Sequence, residues 1–383
     1  MKLSILQENL HRALTFVTRA ANSKSTLPVL GNVLLATENG RLKLTGTNLE
    51  LTLTTYAGAK VEQEGAITLP AKTFADFVTL LPPERIDLTL NPKTSTVALK
   101  CGTFKSNIKG IDANEYPIIP QFSDAPIATI AARELSIALA QTMIAVSKTD
   151  DRPALNGVCF DLSKKKIILA AADGFRLSVR AVEWIERSGE TMQMLVPLKA
   201  CQELARVLSA DGADDDNVEI RQVNNTQVEF RHGDHVIVSS LIDGKFPQYQ
   251  NIIPQSHTER VSVGIGALRE SVRATRVFAR DAMSRVSMQL KTANGNGIGH
   301  IVVQGISAEI GDALGEIDAN IDGDEVEIGM NSDFLLDALN AFGVTASPQV
   351  VFELNGTSGP ALLLDASDPQ RNFQHVIMPM DKK

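Results

Sequence analysis

Three times along its 383 residues the chain repeats one pattern. Each copy closes on a proline-ended segment: Tyr116-Pro117-Ile118-Ile119-Pro120, then Phe246-Pro247 running to Ile252-Ile253-Pro254, then Val376-Ile377-Met378-Pro379, with the last prolines 134 and 125 positions apart. A repeat of about 125 residues is near the commonest domain size, so each copy can bury its own core. Tandem copies of one module build a surface, arc or ring more readily than a single catalytic pocket.

Internal matches keep the same period. Leu27-Pro28-Val29-Leu30-Gly31-Asn32 and Thr47-Asn48 recur 125 positions later as Arg152-Pro153-Ala154-Leu155-Asn156-Gly157 and Ala172-Asp173. Ile67-Thr68-Leu69-Pro70 recurs as Met194-Leu195-Val196-Pro197 and as Ile328-Gly329-Met330-Asn331. An amphipathic helix is expected after each of those three. Its apolar face is Phe74, Phe77, Val78, Leu81, then Cys201, Leu204, Ala205, Leu208, then Leu335, Ala338, Leu339, Phe342, all at the spacing of one helical face. An earlier helix opens each module, with Leu10, Leu14, Val17, then Leu135, Leu139, Met143, Val146, then Leu268, Val272, Thr275, Ala279 inward. Between helices the period falls to two, as in Leu42-Lys43-Leu44, Ile167-Ile168-Leu169 and Val350 to Leu354, which spells strands. Asn39-Gly40 and Asn294-Gly295-Asn296-Gly297 suit hairpin turns. The expected fold is α+β: three tandem modules, each with two helices packed on antiparallel sheet.

Composition excludes several classes. No apolar run reaches the ~18 residues of a membrane span, and the start, Met1-Lys2-Leu3-Ser4-Ile5, lacks the apolar core of a signal peptide. Cys101, Cys159 and Cys201 are odd in number and widely spaced, which suits reduced thiols in the cytoplasm. The net charge of -8 is unevenly spread: Lys and Arg number 13 against 11 acidic residues over 1–125, 14 against 17 over 126–254, and 10 against 17 over 255–383. A positive first module and a negative last one favour contact between copies, head to tail.

A search for catalysis finds little. There is no phosphate-cradling Gly-x-x-x-x-Gly-Lys-Ser/Thr and no Gly-x-Ser-x-Gly elbow. His232 and His235 flank a turn at Gly233-Asp234 with no third ligand close in sequence, so no metal site is expected there. Asp150-Asp151-Arg152 suits a loop ion pair, and Asp214-Asp215-Asp216 a solvated loop. No cofactor and no enzymatic activity are expected.

The basic residues carry more. Arg269, Arg273, Arg276 and Arg280 recur at i, i+4, i+7 and i+11, a stripe on the third module's opening helix, with Glu270 and Asp281 as possible counter-charges. Arg12, Arg19, Lys24, Lys72, Lys148, Lys199 and Arg206 occupy comparable places. Such a surface suits a polyanion held loosely through phosphates, without base readout. Trp184 is the only Trp, which argues against a single-strand stacking groove. Val277 and Phe278 fall off their helix's apolar stripe and suit a contact surface. The tail His375-Val376-Ile377-Met378-Pro379-Met380 is apolar where tails are normally polar, and methionines suit an adaptable groove.

Thr26-Leu27-Pro28-Val29-Leu30-Gly31-Asn32, Leu44-Thr45-Gly46-Thr47-Asn48-Leu49-Glu50, Leu155-Asn156-Gly157, Ala172-Asp173-Gly174-Phe175-Arg176-Leu177, Asp243-Gly244-Lys245-Phe246-Pro247, Glu327-Ile328-Gly329 and Val376-Ile377-Met378-Pro379-Met380, in this order and spacing, resemble the bacterial DNA polymerase III beta subunits, the replicative sliding clamps. The resemblance runs the length of the chain. It implies modules at 1–124, 125–254 and 255–383, and a head-to-tail homodimer whose six modules form a ring with helices lining the hole. It implies a DNA-facing set of Lys24, Lys72, Lys148, Arg152, Lys199, Arg269, Arg273, Arg276 and Arg280. At the subunit contact, Phe104 would meet Val277 and Phe278 of the other copy, and Lys100 and Lys105 would face Glu309, Asp312 and Glu316.

The resemblance also implies a partner-peptide pocket formed by Leu155, Ala172, Gly174, Phe175, Arg176, Leu177, Pro247, Ile252, Met283, Asn331, Phe334, Ser358, Pro360, Val376, Ile377, Met378, Pro379 and Met380. Implied partners are duplex DNA encircled without sequence preference, the polymerase III catalytic subunit, an ATP-dependent clamp loader, and other polymerases and repair proteins bearing a short Gln-led apolar peptide. Phe175 stands where well-known members have histidine, and Asp381-Lys382-Lys383 departs from their ending. The rival readings are a peptide-binding scaffold that never touches DNA, and an enzyme with an unrecognised site.

Overall fold

The structure, a computed structural model, describes the chain except at 22–26, 120–124, 150, 163–164, 189–191, 211–215, 225, 281–282, 293–297, 346 and 382–383. Lys24, Asp150, most of the 214–216 acidic run, Asp281, the 294–297 turn and Lys382-Lys383 therefore lie outside the described residues.

Six α-helices are described: α1 (Gln7–Val17), α2 (Ala71–Thr79), α3 (Ala132–Thr142), α4 (Leu198–Ala210), α5 (Ile265–Thr275) and α6 (Ser332–Gly343). Each follows a strand with no intervening loop. The strands Lys2–Leu6, Ala66–Pro70, Ala128–Ala131, Gln193–Pro197, Glu259–Gly264 and Glu327–Asn331 run straight into them. Pro70 and Pro197 give up no ladder hydrogen bond of value at a strand's last residue, and their fixed φ suits entry into a helix. At α6 Asn331 performs the capping: its Oδ1 accepts from the backbone N–H groups of Asp333 and Phe334.

The chain divides into two compact units. The first (1–132, 186–189, 206–241) holds a five-stranded sheet, in the order 60–63, 2–6, 85–91, 96–101, 104–109, and a nine-stranded sheet that includes 235–240, 51–57, 41–47, 32–38 and 66–70 as neighbours. Leu10, Leu14 and Val17 of α1 and Phe74 and Val78 of α2 are fully buried, with α1 packed on strands 41–47 and 51–57 and α2 on strands 32–38 and 66–70, each burial contributing about 1.5–3 kcal/mol. The end of α1 lies directly on the sheet: a Cβ at Gly46 would come within 2.1 Å of the Val17 carbonyl oxygen. The Asn39-Gly40 hairpin joins 32–38 to 41–47 with φ of 50° and 73°, the two positive values its turn needs.

The second unit (133–185, 190–205, 242–383) is built on a twelve-stranded antiparallel sheet. Strand 176–182 pairs with 373–377, Arg176 opposite Ile377, so the chain's last strand completes the ladder. One apolar cluster gathers Leu268, Val272, Leu335, Leu339, Phe342, Phe373 and Ile377. A second gathers Leu155, Leu177, Phe246, Tyr249, Leu362 and Val376. Here too a helix end rests on a glycine: a Cβ at Gly305 would lie 2.1 Å from the Thr275 carbonyl oxygen.

Three helical expectations are shortened; α2 ends at Thr79, before the expected Leu81. α3 ends at Thr142 and α5 at Thr275, each followed by a single 3₁₀ turn, at 143–145 and 276–278. Thr142 and Thr275 turn their hydroxyls back onto the carbonyls of Ala138 and Ser271, a bond that weakens helix continuation. Met143 and Val146 therefore leave the helix, as do Arg276 and Arg280. The second proline-ended segment is likewise not fully extended, since a 3₁₀ turn occupies Tyr249–Asn251.

Candidate functional site

The 125-residue offset reappears as a physical turn. Asn48 Oδ1 accepts from the N–H groups of Glu50 and Leu51, and Asp173 Oδ1 accepts from those of Phe175 and Arg176. The second residue of each turn has positive φ, Leu49 at 78° and Gly174 at 94°. Glycine takes that conformation without strain, and no atom lies within 4 Å of where its Cβ would be. The consequence at Asp173 is an open surface with Phe175 standing 64% exposed beside it.

Around this turn the second unit assembles a groove. Leu155, Leu177 and Val376 form its buried apolar base together with Phe246 and Tyr249, and Ala172 packs against them. The Met378 N–H donates to the Phe175 carbonyl at 2.8 Å, and the Met380 N–H donates to the Gly329 carbonyl at 2.9 Å. Met378, Pro247 and Ser358 are exposed, and Met283 stands 65% exposed. Ile252 is turned outward, and Ile253 instead packs against the apolar base. Ile377 points away, into the other cluster.

Arg176 ties this region together. Its side chain is almost fully buried, donates from Nε to Asp173 Oδ2 at 3.0 Å and from Nη1 to Asp337 Oδ2 at 2.7 Å, and lies 4.3 Å over the Phe334 ring. The strand thus grips its own turn and α6 at once. Beside it His375 is fully buried, its Nδ1 2.7 Å from Ser178 Oγ. Burial, and then the Arg176 charge, push its pKa down to about 3, so it is neutral. Asp173, Asp337, Phe246 and Tyr249 are missing from the sequence-based site. Asp173 lay within the repeat match, whereas Asp337 is 161 positions from Arg176 and gave no local signal.

The basic residues separate by environment. Lys72, Lys148, Arg152, Lys199, Arg273 and Arg280 are exposed. The expected continuous arginine stripe is not present as a stripe. Arg269 is half-buried, with Nη1 3.8 Å from the Cβ position of Gly343 at the end of α6. Arg276, past the end of α5, is ion-paired with Asp333. Within the first unit, Arg12 of α1 and Arg19 in the turn after it line a groove of about 620 Å³ that Arg206 also lines.

Two stretches of open sheet edge bear on the expected subunit contact. Strand 104–109 pairs with 96–101 on one side only among the described residues, and Phe104 on it is 49% exposed. Strand 311–322 pairs over 311–319 with 299–307 and meets 259–264 only from 319 onward. Among the described residues its 311–318 stretch therefore has no strand on its other side, next to exposed Ile306, Ile310 and Leu314. Lys100 and Lys105 are exposed at the first edge, and Glu309, Asp312 and Glu316 at the second. Val277 is 49% exposed, while Phe278 is half-buried.

The remaining polar clusters are structural. His232 Nδ1 lies 3.2 Å from the Asn217 carbonyl, and His235 packs edge-on against Phe16. No group of three His, Cys, Asp or Glu among the described residues could hold a metal. Burial pushes the Cys159 and Cys201 thiols up to about 12, which keeps them protonated and unreactive. No described helix is long and apolar enough to cross a membrane.

Family models for the DNA polymerase III beta subunit match nearly the whole chain: the N-terminal domain at residues 1–120, the central domain at 129–248 and the C-terminal domain at 250–381. A beta sliding clamp from Synechococcus elongatus is 30% identical over 366 residues, 95% of each chain. One from Staphylococcus epidermidis is 27% identical over 389 residues, 99% of each. Among solved structures, the DNA polymerase III subunit beta from Pseudomonas aeruginosa is 29% identical, covers 100% of both chains and superposes with a TM-score of 0.89. A beta sliding clamp from C. crescentus, solved with polyethylene glycol in a putative beta-motif tethering region, is 26% identical with a TM-score of 0.88.

Proposed function

From the premise that the chain belongs to the DNA polymerase III beta subunit family, we propose that it is a sliding clamp that encircles duplex DNA and tethers the replicative polymerase for processivity. The observation that carries this reading is the family match across all three segments, from residue 1 to 381. Two copies close head to tail into a ring of six modules, cut at 1–124, 125–254 and 255–383. The open edges support closure: strand 104–109 with Lys100 and Lys105 is complementary in charge and hydrogen-bonding capacity to strand 311–318 with Asp312 and Glu316. A heterologous contact of this kind closes when the rotation fits, and each edge ends its exposure by pairing with the other.

The two helices of each module face the hole. Exposed Lys72, Lys148, Arg152, Lys199, Arg273 and Arg280 hold the phosphates weakly enough for sliding, because contacts to phosphate carry no sequence information. The groove at Phe175, Leu177, Val376 and Met378 takes the apolar end of a short Gln-led peptide from the polymerase catalytic subunit, from other polymerases and repair proteins, or from the ATP-dependent loader. The chain itself is a processivity subunit with no catalytic role, working in the cytoplasm.

The test combines imaging and replication. Negative-stain class averages of the purified protein are expected to show closed rings with six lobes. Primer extension on a long single-stranded template, with polymerase and loader, is expected to lengthen products when the protein is added. Open arcs together with unchanged product length would overturn the proposal.

A further inference from the structure

The turn at Asn48 copies more of the Asp173 groove than its side-chain cap. The Asn48 N–H donates to the Leu51 carbonyl and the Asp173 N–H to the Arg176 carbonyl, both at 3.2 Å. A strand from further along the chain then lies beside each turn. The Ser240 N–H donates to the Glu50 carbonyl as the Met378 N–H does to the Phe175 carbonyl, both at 2.8 Å. Behind the turns the pairing agrees residue for residue. Thr47 faces Thr52 where Ala172 faces Leu177, and Thr52 faces Val238 where Leu177 faces Val376. Leu30, 125 positions before Leu155, is buried like it, and so are Tyr116 and Phe246, the aromatic residues before the repeated prolines. The first unit therefore carries the backbone scaffold of a second groove.

The chemistry of its base differs. The Thr47 hydroxyl lies 2.7 Å from that of Thr52 and 3.2 Å from the Leu51 carbonyl, and it accepts from the Leu49 N–H at 3.1 Å. Bonded oxygens thus stand where Ala172 and Leu177 present only carbon. An apolar side chain gains from leaving water in proportion to the apolar surface it covers, and prising these hydroxyls apart would leave buried polar groups unmatched. The rim differs too. Leu49, at φ 78°, puts a side chain where Gly174 leaves open space, and Glu50 takes the place of Phe175. We infer that Thr47 and Thr52 are specificity-determining residues: they confine the Gln-led peptide to the groove of the second unit, one peptide per chain. The inference rests on the peptide-groove reading above.

The test is isothermal titration calorimetry of the full-length protein with the peptide Gln-Ala-Leu-Leu-Phe. The unaltered chain is expected to bind one peptide. Leu49→Gly with Glu50→Phe, which remakes only the rim, is expected to stay at one. Adding Thr47→Ala and Thr52→Leu is expected to raise the count to two. The reciprocal change, Ala172→Thr with Leu177→Thr, is expected to weaken docking at least about tenfold, and it carries the test if the quadruple variant unfolds. Two peptides on the unaltered chain or on the rim variant overturns the inference, as does one on a folded quadruple variant or undiminished affinity in the reciprocal one. Met378→Asp separates this from the parent reading. If the unaltered protein binds no peptide, or Met378→Asp binds it as before, the groove reading itself fails, and the inference with it.

Discussion

Gly329→Ala is the most local perturbation of the tail contact. The added methyl carbon would lie 2.5 Å from the Met380 carbonyl oxygen and 2.6 Å from Arg285 Nε. Ordinary carbon–oxygen contact needs about 3.4 Å, so roughly 0.9 Å of overlap must be relieved, and in a close-packed interior it is relieved by movement. The arginine can swing aside; the Met380 carbonyl is backbone and moves only if the tail lifts. Lifting breaks the 2.9 Å bond from the Met380 N–H to the Gly329 carbonyl, a net loss of about 1 kcal/mol, and uncouples Met378 and Pro379 from the groove. Together these predict a loss of about 1–2 kcal/mol in peptide binding, a 5- to 30-fold rise in Kd. The assay is anisotropy titration with a labelled Gln-led peptide, with thermal unfolding followed in parallel. The midpoint should move by only a few degrees, since the tail is the last element of the ladder. Gly266→Ala in α5, where nothing lies within 4 Å of the new Cβ, is the control and should leave affinity unchanged. A Gly329→Ala protein that folds and binds the peptide as before would refute the claim that the tail must sit flush on Gly329.

The helix ends make a second prediction: Gly46→Ala and Gly305→Ala each drive a Cβ to 2.1 Å from a helix carbonyl. Each should destabilise its own unit by about 2–4 kcal/mol, seen as an early unfolding transition by calorimetry. His375 supplies a third. The unfolded imidazole binds a proton near its ordinary 6.5, whereas the buried one refuses it down to about 3. Stability is therefore fully present above pH 6.5 and falls as pH drops from there toward 3, at most about 1.4 kcal/mol per pH unit. Urea midpoints at pH 7.5 and 5 should show this fall, and His375→Asn should flatten it. Phe104→Arg should convert dimer to monomer in light scattering at micromolar concentration without lowering the unfolding midpoint; an unchanged mass would place the subunit contact elsewhere. Arg273→Glu should shorten retention on circular DNA as salt rises, whereas Arg276→Glu, which repels its partner Asp333, should also loosen the start of α6.

Much of the architecture was legible because it rests on short-range periodicity. The sequence placed strand-to-helix junctions at Pro70, Pro197 and Asn331, and the structure starts α2, α4 and α6 one residue later in each case. The 125-residue offset between Asn48 and Asp173 predicted equivalent positions, and both prove to be the same side-chain-capped turn. Hydrophobic spacing and turn chemistry report on neighbours in the chain, so they survive without tertiary knowledge. What they could not report is where long-range contacts override them. Four arginines at helical spacing read as one stripe, but the Thr275 hydroxyl and a 3₁₀ turn end α5 before Arg276, and Asp333 then takes its charge. The bond of Arg176 to Asp337, the niche of Gly329 and the unmatched donors of Arg285 depend on residues brought together by strand pairing across the sheet and by the position of α6. Sequence by itself determined the strand-to-helix junctions, the repeated turn and most of the apolar faces, because each is written in local order; which charges are free to meet a partner was decided by the tertiary structure, because pairing and burial depend on distance in space.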